Sequence, residues 1–286
     1  MSPPREETIP LVGRRFWVYG SQAEGFDGRD FNAIFEDLKR EFEPGGGGPI
    51  GVAGLVEDRE VMERRPEAIW PESELIFAGY TPEGHQVRIR YFWGATIGPG
   101  APGGSPSLDE EMAKDLRLEP RYRIEPLADS DSVGPEDVIA LWEREGVLPG
   151  PMARQRVKQV NLVAITGERE IAGVSTVYLE HNPQLRMDLW HYRTFVGSAH
   201  RHTNVARHLI SGNRDLLESR FTSGEDTRAP GMIFGLEHQG MQRHLNTALW
   251  AHSRFVFIGE DQHGWHIRVY YFAGARVPLP DPVPAK

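Results

Sequence analysis

The chain has 286 residues, of which 39% are hydrophobic and 26% are charged, and its formal net charge is −9 at pH 7. This composition is typical of a globular protein, and negative charge without clustered Lys and Arg argues against a nucleic-acid partner. Because the chain has no cysteine, disulfides, thiol catalysis and Cys-based zinc sites are excluded. No apolar run approaches the length of a membrane span, and the first residues lack the apolar core of a signal peptide. We therefore expect a soluble cytoplasmic protein with no membrane partner.

The first part of the chain, residues 10–97, alternates β-rich and helical patterns. In chain order the patterns predict a strand at 15–20, a helix at 28–43, a strand at 50–56, a helix at 58–70, and a hairpin of strands 74–79 and 86–92. The next ten residues, 98–107, are only Gly, Pro, Ala and Ser. Since Gly and Pro disfavour both helices and strand ladders, this stretch is predicted to be a linker.

The remaining part, 108–286, is longer and begins with elements that the first part lacks. The patterns predict a strand at 121–127, helices from 135 and at 152–160, a hairpin at 161–165 and 171–178, a strand at 187–196, a helix at 204–221, a strand at 231–236, a helix at 239–250, and a hairpin at 254–259 and 266–272. The order is β-α-α-β-β-β-α-β-α-β-β, which predicts a mixed α/β fold.

Residues 51–97 align with residues 231–277 without a gap, at a constant offset of 180. Thirteen positions are identical, and in the first copy they are Gly51, Glu57, Ala68, Trp70, Ser73, Phe77, Gly79, Gly84, Arg88, Tyr91, Phe92, Gly94 and Ala95. Such a long-period repeat indicates duplication of a structural unit. We therefore predict a truncated half copy at 10–97 before a full copy at 108–286. Because a half copy leaves a sheet edge open, we expect the second unit or a neighbouring chain to cover it, and a homodimer is one option.

A basic loop, VGSAHRHTNVA, lies between the predicted strand that ends at Val196 and the following helix. With the element order, it resembles the GCN5-related N-acetyltransferase (GNAT) superfamily, whose R/Q-x-x-G-x-G/A loop precedes a helix. Arg201 and Ala206 match the first and last motif positions, whereas Asn204 replaces the central glycine with a side chain that would crowd the ligand. The resemblance implies a GNAT-like fold with acetyl-CoA as cosubstrate, its pyrophosphate held by N–H groups at the helix start. The implied cofactor-binding residues are Phe195, Val196, Arg201, His202, Thr203, Asn204, Val205, Ala206 and Asn246.

The corresponding loop of the first copy, 21–28, differs in charge. It carries Glu24 and Asp27 where phosphates would lie, and it has no basic residue. We therefore do not expect the first copy to bind coenzyme A.

Acyl transfer by direct attack of an amine needs a base for the amine and a proton donor for the thiolate. Glu237, after the strand 231–236, is one candidate base, although its counterpart Glu57 in the first copy favours a structural role. Asp188 and His191, on opposite faces of the strand 187–196, are alternatives. Tyr270 has no tyrosine counterpart in the first copy and is a further catalytic candidate. The tyrosine that often acts as the acid in the family is replaced here by Trp250.

Many histidines lie in the second copy, but none forms an H-E-x-x-H pair or a comparable ligand set, so no metal site is expected. The sequence thus predicts an acetyl-CoA-dependent N-acyltransferase that acts on a small amine. Two other classes of protein stay open. One is a non-catalytic protein that binds a ligand or partner on the same scaffold, and the other is a purely structural dimerisation module.

Overall fold

A computed structural model describes residues 4–19, 29–42, 47–97, 117–201 and 203–280. The predicted linker at 98–107 and the loop that carries Glu24 and Asp27 lie outside the described residues. The chain forms two compact units. The first unit comprises Met1–Ala113, His181–Asp188 and Gly235–Lys286, and the second comprises Lys114–Glu180 and Leu189–Phe234. The predicted boundaries at 97 and 108 remain a prediction.

The helices and strands follow the predicted order, with two additional strands near the N-terminus and after the second helix. They are β1 (Arg5–Ile9), β2 (Arg14–Tyr19), α1 (Arg29–Arg40), β3 (Gly51–Val56), α2 (Arg59–Arg64), β4 (Ile69–Trp70), β5 (Leu75–Tyr80), β6 (Gln86–Tyr91), β7 (Tyr122–Pro126), α3 (Pro135–Arg144), α4 (Gly150–Arg156), β8 (Val160–Thr166), β9 (Ile171–Asn182), β10 (Met187–Val196), α5 (Val205–Ser223), β11 (Gly231–Leu236), α6 (Gln239–His244), β12 (Val256–Glu260) and β13 (His266–Tyr271). The prediction of a mixed α/β fold is confirmed. No helix in the described part of the chain is long and apolar enough to cross a membrane.

In the first unit a six-stranded sheet has the order β1-β2-β3-β6-β5-β4. Strands β2 and β3 are parallel, and β1 pairs antiparallel with β2. The N-terminal strand β1, which the sequence patterns missed, pairs with β2 and is itself the end strand of the sheet. That another unit or a neighbouring chain covers the open edge remains a prediction.

Both short helices of this unit end earlier than predicted. Helix α2 begins after Asp58, whose side chain accepts hydrogen bonds from two backbone N–H groups, and it ends at Arg64. Because Pro66 follows, Arg65 is biased away from helical dihedrals. Helix α6 ends at His244, and 245–250 is not helical but forms isolated β-bridges at Thr247 and Leu249. The predicted helix 152–160 also stops early: α4 ends at Arg156, a 3₁₀ turn follows, and β8 begins at Val160.

Extended segments of the two copies pair with each other in a reciprocal way inside the first unit. The N–H of Ala68 donates to the carbonyl of Ala275 at 2.9 Å, and the N–H of Ala248 donates to the carbonyl of Ala95 at 2.7 Å. Positions 68 and 248, like 95 and 275, are 180 residues apart. The segment 246–248 is therefore held in an extended conformation by the other copy, which is the physical reason that it does not continue α6.

Each repeated hairpin contains a β-bulge, and a tyrosine of the other copy bonds to it. The strand register shifts between Phe77 and Gly79 in one hairpin and between Phe257 and Gly259 in the other. The hydroxyl of Tyr91 donates to the carbonyl of Phe257 at 2.8 Å, and that of Tyr271 donates to the carbonyl of Phe77 at 3.0 Å. A bulge disrupts the ladder locally, so these hydroxyls supply donors at the point where the strands do not.

A single glutamine bonds to both bulges. The Nε2 group of Gln184 donates to the carbonyls of Ala78 and Ile258, at 2.9 Å in each case. These two carbonyls also lie 180 positions apart. Gln184 therefore makes equivalent contacts with the two copies.

The second unit consists of a sheet between helices. Its strand order is β11-β10-β9-β8-β7, with β10 and β11 parallel and with β7, β8 and β9 antiparallel. Alternate residues of β8 face opposite sides, as expected of a strand. Val163 and Ile165 pack with α3 and α4, whereas Leu162 and Ala164 pack with Val205 and Leu209 of α5. The sheet is thus buried on both faces.

Candidate functional site

The candidate site is at the junction between β10 and α5. After Val196 the chain makes a 3₁₀ turn at Ser198–His200, and α5 starts at Val205. Buried Val205 and Leu209 fix the first turn of the helix against the sheet. The first N–H groups of a helix have no partner within it and carry its positive dipole end, so an anion is favoured there.

Side-chain hydrogen bonds fix the shape of this loop. The hydroxyl of Thr203 donates to the carbonyl of His200 at 2.7 Å and accepts from the N–H of Val205 at 3.4 Å. The ring of His200 is buried, and its Nδ1 lies 3.1 Å from the hydroxyl of Tyr122. The loop is therefore ordered by its own side chains and by β7.

The residue in place of the family's central glycine has ordinary dihedrals. Asn204 has φ −81° and ψ 6°, so this position does not require the left-handed conformation that glycine favours. Its side-chain amide donates to the carbonyl of Arg117 at 3.0 Å. This bond gives the asparagine a structural role at the start of α5.

Charges of both signs lie along the loop. Arg201 is exposed, and within the described residues its guanidinium makes no hydrogen bond or ion pair. The carboxylate of Glu145, just after α3, accepts from both the N–H and the hydroxyl of Ser198, at 3.1 and 3.2 Å. The start of the loop is thus occupied by a carboxylate of the protein, whereas its end is basic.

The parallel strands β10 and β11 pair with each other over only a short length. Their register pairs Trp190 with Met232 and His191 with Ile233, and it does not extend to Tyr192 and Phe234. The rings of Tyr192 and Phe234 contact each other edge to face, with 6.1 Å between centroids. β10 continues to Val196, so the residues before the loop extend beyond the paired part of the two strands.

His191 lies among polar and aromatic groups of β9 and β10. Its Nδ1 is 3.5 Å from a carboxylate oxygen of Glu180, and its ring packs on that of Tyr178 at 5.3 Å. The guanidinium of Arg193 lies over the Tyr178 ring, 4.5 Å from its centre, and donates to the Tyr178 hydroxyl at 2.6 Å. Burial lowers the pKa of His191, with Glu180 opposing and Arg193 reinforcing this shift, so the imidazole is neutral at pH 7. Its Nε2 is buried and has no hydrogen-bond partner in the described part of the protein.

The other three catalytic candidates belong to the first unit. Glu237 is exposed after β11, and Asp188 is exposed with its carboxylate 3.0 Å from Nδ1 of His181. Tyr270 is buried, and its ring contacts two phenylalanines. Of the four candidates, only His191 belongs to the unit that contains the loop, and the catalytic assignments remain predictions.

Asn246 and Trp250, two positions to which the family resemblance assigns a function or a substitution, have structural contacts in the first unit. The carbonyl of Asn246 accepts the N–H of Ile97 at 2.9 Å. The indole N–H of Trp250 donates to the carbonyl of Leu245 at 3.1 Å, and Arg268 lies 4.1 Å above its ring. Trp250 therefore contributes to packing, and its repeat counterpart does the same. His202, another predicted cofactor-binding residue, lies outside the described residues.

Sequence reasoning missed Tyr178, Glu180 and Arg193 as neighbours of His191. Their spacing held a signal, since Tyr178 and Glu180, like His191 and Arg193, are two apart and share one face of a strand. The sequence does not give the register between β9 and β10, and the pairing therefore required the structure. In the described part of the chain no group of three His, Asp or Glu side chains could hold a metal ion.

No protein-family model and no curated protein matches the chain. Among the solved structures similar to it are acetyltransferases of the GNAT family, the family that the sequence resembles. A GNAT acetyltransferase from Streptococcus pneumoniae is 11% identical, with a TM-score of 0.37 over 53% of this chain and 99% of that chain. The ribosomal-protein-S5-alanine acetyltransferase of Vibrio fischeri is 12% identical, with a TM-score of 0.39 over 56% and 98%. Arabidopsis thaliana NAA60, in complex with acetyl-CoA, is 12% identical, with a TM-score of 0.36 over 54% and 99%. Similarity at this level does not assign an activity to the present chain.

Proposed function

We propose that this protein is an acyltransferase that transfers the acetyl group of acetyl-CoA to the nitrogen of a small amine. The observation that carries the proposal is the junction of β10 and α5. There, a strand that extends beyond its parallel neighbour leads through a basic loop into the N-terminus of a long helix. This arrangement offers an extended strand to an extended ligand, and helix N–H groups to its anionic part.

In this proposal the cofactor lies along the end of β10 and the start of α5. Phe195 and Val196 offer backbone groups to the pantetheine arm, and the loop residues Arg201, His202, Thr203, Asn204, Val205 and Ala206 hold the pyrophosphate. Arg201 supports this role best, because its exposed guanidinium has no protein partner among the described residues. Asn246 is retained in the proposed cofactor-binding set through the family resemblance alone.

The proposed reaction needs no nucleophile from the protein. The amine attacks the thioester carbonyl, the new C–N bond forms, and the C–S bond breaks to release the thiolate of coenzyme A. One proton leaves the amine, and one is taken up by the thiolate. Glu237, His191 and Asp188 are the proposed bases, and Tyr270 is a proposed proton donor.

We further propose that residues 10–97 are a degenerate half copy whose role is structural. Reciprocal contacts between positions 180 apart support a duplication, because related segments make the same hydrogen bonds in both directions. In this view the half copy serves as a built-in partner for the C-terminal hairpin of the full copy. It does not itself bind coenzyme A.

A second candidate function is ligand or partner binding without catalysis. Two observations favour it. Glu145 already occupies the N–H of Ser198 at the start of the loop, and Trp250 replaces an acid with an indole that is engaged in packing. A protein of this kind would bind through the same loop but would release no thiol from acetyl-CoA.

Calorimetric titration with acetyl-CoA tests the proposal. We expect micromolar binding that weakens when dephosphorylated analogues replace the ligand. Arg201→Glu should reduce the affinity at least tenfold, because a charge-assisted hydrogen bond contributes about 1.5–3 kcal/mol. Arg220→Glu makes the same charge change near the other end of α5, where Arg220 pairs with Glu225, and serves as the matched control. Absence of binding at millimolar acetyl-CoA, or equal affinities for both variants and the wild type, would refute the cofactor assignment.

A further inference from the structure

The environment of His191 differs from that of the other catalytic candidates. Glu237 and Asp188 are exposed carboxylates, whereas the His191 side chain is 21% exposed. Its ring packs against the Tyr178 ring, and its Nδ1 faces the Glu180 carboxylate. A base that works near neutral pH must be unprotonated there, and partial burial keeps this imidazole neutral.

The two ring nitrogens of His191 have different surroundings. Nδ1 faces the Glu180 carboxylate at 3.5 Å, whereas Nε2 is buried with no hydrogen-bond partner in the described part of the protein. A carboxylate that faces Nδ1 favours the tautomer with the proton on Nδ1. Nε2 is then an acceptor without a donor. Buried polar atoms in folded proteins usually have a protein or water partner, so this unpaired acceptor is a site for a bound water.

We propose that His191 is the general base of the acyl transfer, and that Glu180 is a positioning residue that orients its ring. The proposal rests on the acetyltransferase function proposed above. Because Nε2 is buried, it accepts, through one bridging water, the proton that the attacking amine loses. The imidazolium formed in this step is stabilised by Glu180, and it returns to neutral when its proton passes to the departing thiolate or to solvent.

Charged groups near the ring set the pH range of this step. Glu180 on β9 favours the protonated ring, and Arg193 on β10 disfavours it. Tyr178, against the ring, has its own pKa raised by burial, so it remains a neutral phenol at pH 7. Replacing Glu180 by Gln therefore removes a carboxylate that stabilises the imidazolium. We expect the pKa of His191 to fall further in Glu180→Gln.

The first test measures the effect of Glu180 on the pKa of His191, and it does not require catalysis. Histidine side chains of the full-length protein are titrated by NMR, and the His191 signal is assigned from its loss in His191→Gln. We expect Glu180→Gln to move the His191 titration to lower pH and Arg193→Gln to move it to higher pH. The NMR signal of exposed His244, recorded in the same spectra, is the control. A His191 titration that is unaffected by Glu180→Gln would overturn the positioning role.

The second test measures thiol release from acetyl-CoA with spermidine, tobramycin and an alanyl peptide as amine probes. We expect His191→Gln to lower kcat about 100-fold or more with unchanged acetyl-CoA affinity. Glu180→Gln should lower kcat less and shift the acidic limb of kcat/KM to lower pH, with partial rescue in Glu180→Asp. His244→Gln is the control.

The outcomes separate the two proposals. If wild-type protein does not bind acetyl-CoA, the proposed function fails. If it binds acetyl-CoA but releases no thiol with any probe, the proposed acyl transfer fails and binding without catalysis stands. If the wild type releases thiol but His191→Gln is as active as the wild type, the base assignment alone fails.

Discussion

The reciprocal tyrosine bonds at the two bulges allow a quantitative test of the packing in the first unit. Tyr91 and Tyr271 are both buried, and their hydroxyls donate to carbonyls where the strand register shifts. Tyr→Phe removes only the hydroxyl, and the carbonyl loses a donor that water cannot readily replace. Leaving a buried acceptor unsatisfied costs about 1–3 kcal/mol. We therefore expect each single substitution to lower the free energy of unfolding by that amount.

The matched control is Tyr19→Phe. Tyr19 is also buried, but its hydroxyl has no hydrogen-bond partner among the described residues. Burial raises its pKa to about 12, which indicates a hydroxyl that has lost water without gaining a stabilising charge. Removing this hydroxyl relieves an unsatisfied group, so we expect no loss of stability and no shift of the unfolding midpoint.

The assay is equilibrium urea unfolding followed by tryptophan fluorescence. With a slope of about 3 kcal/mol/M, a loss of 2 kcal/mol lowers the midpoint by about 0.7 M. The double variant Tyr91→Phe with Tyr271→Phe should lose about the sum if the two bonds act independently. The reasoning would be refuted if both single variants matched the wild type, or if Tyr19→Phe lost as much stability as they did.

Three further predictions follow from single positions. Gly259→Ala should lower the free energy of unfolding by about 3 kcal/mol or more, because at φ 143° a Cβ would lie 2.6 Å from the carbonyl oxygen of Leu11. The control is Gly274→Ala, where φ is 78° and a Cβ would meet no other atom within 4 Å. It should cost only about 1 kcal/mol in the same urea assay. Asn204→Asp adds negative charge at the start of α5 and should weaken acetyl-CoA binding about tenfold in calorimetry. Unchanged affinity would contradict the anion-binding role of the loop. Burial lowers the pKa of His191 in the folded state, so the unfolded chain takes up the proton before the folded chain does as the pH falls. This residue therefore contributes stability that is present above pH 6.5 and is lost as the pH falls below that value. Comparing urea midpoints at pH 7.5 and 5.5 checks this sign, and His191→Gln should make the difference between the two midpoints smaller.

Much of the secondary structure could be predicted from the sequence because it is encoded locally. The alternation along β8 and β10, the buried face of α5 and the proline at the start of α3 each depend on neighbours within a few residues. The repeat was also visible in the sequence, since its glycines and aromatic residues recur at one offset.

The errors occurred where distant residues decide the local conformation. The sequence patterns place 245–250 in a helix, but hydrogen bonds between 246–248 and 95–97 hold this part of the chain in a non-helical conformation. Strand β1 was missed because its charged sequence shows little alternation, and only pairing with β2 makes it a strand.

The sequence by itself determined the fold class, the order of the elements and the basic loop before α5, because these follow from patterns within short stretches of chain. Only the tertiary structure decided which side chains surround His191 and which carbonyls receive the hydroxyls of Tyr91 and Tyr271. Those contacts depend on the register between strands and on the packing of segments far apart in the chain. A difference of one residue in register would place different side chains beside each other, and no local pattern specifies that register.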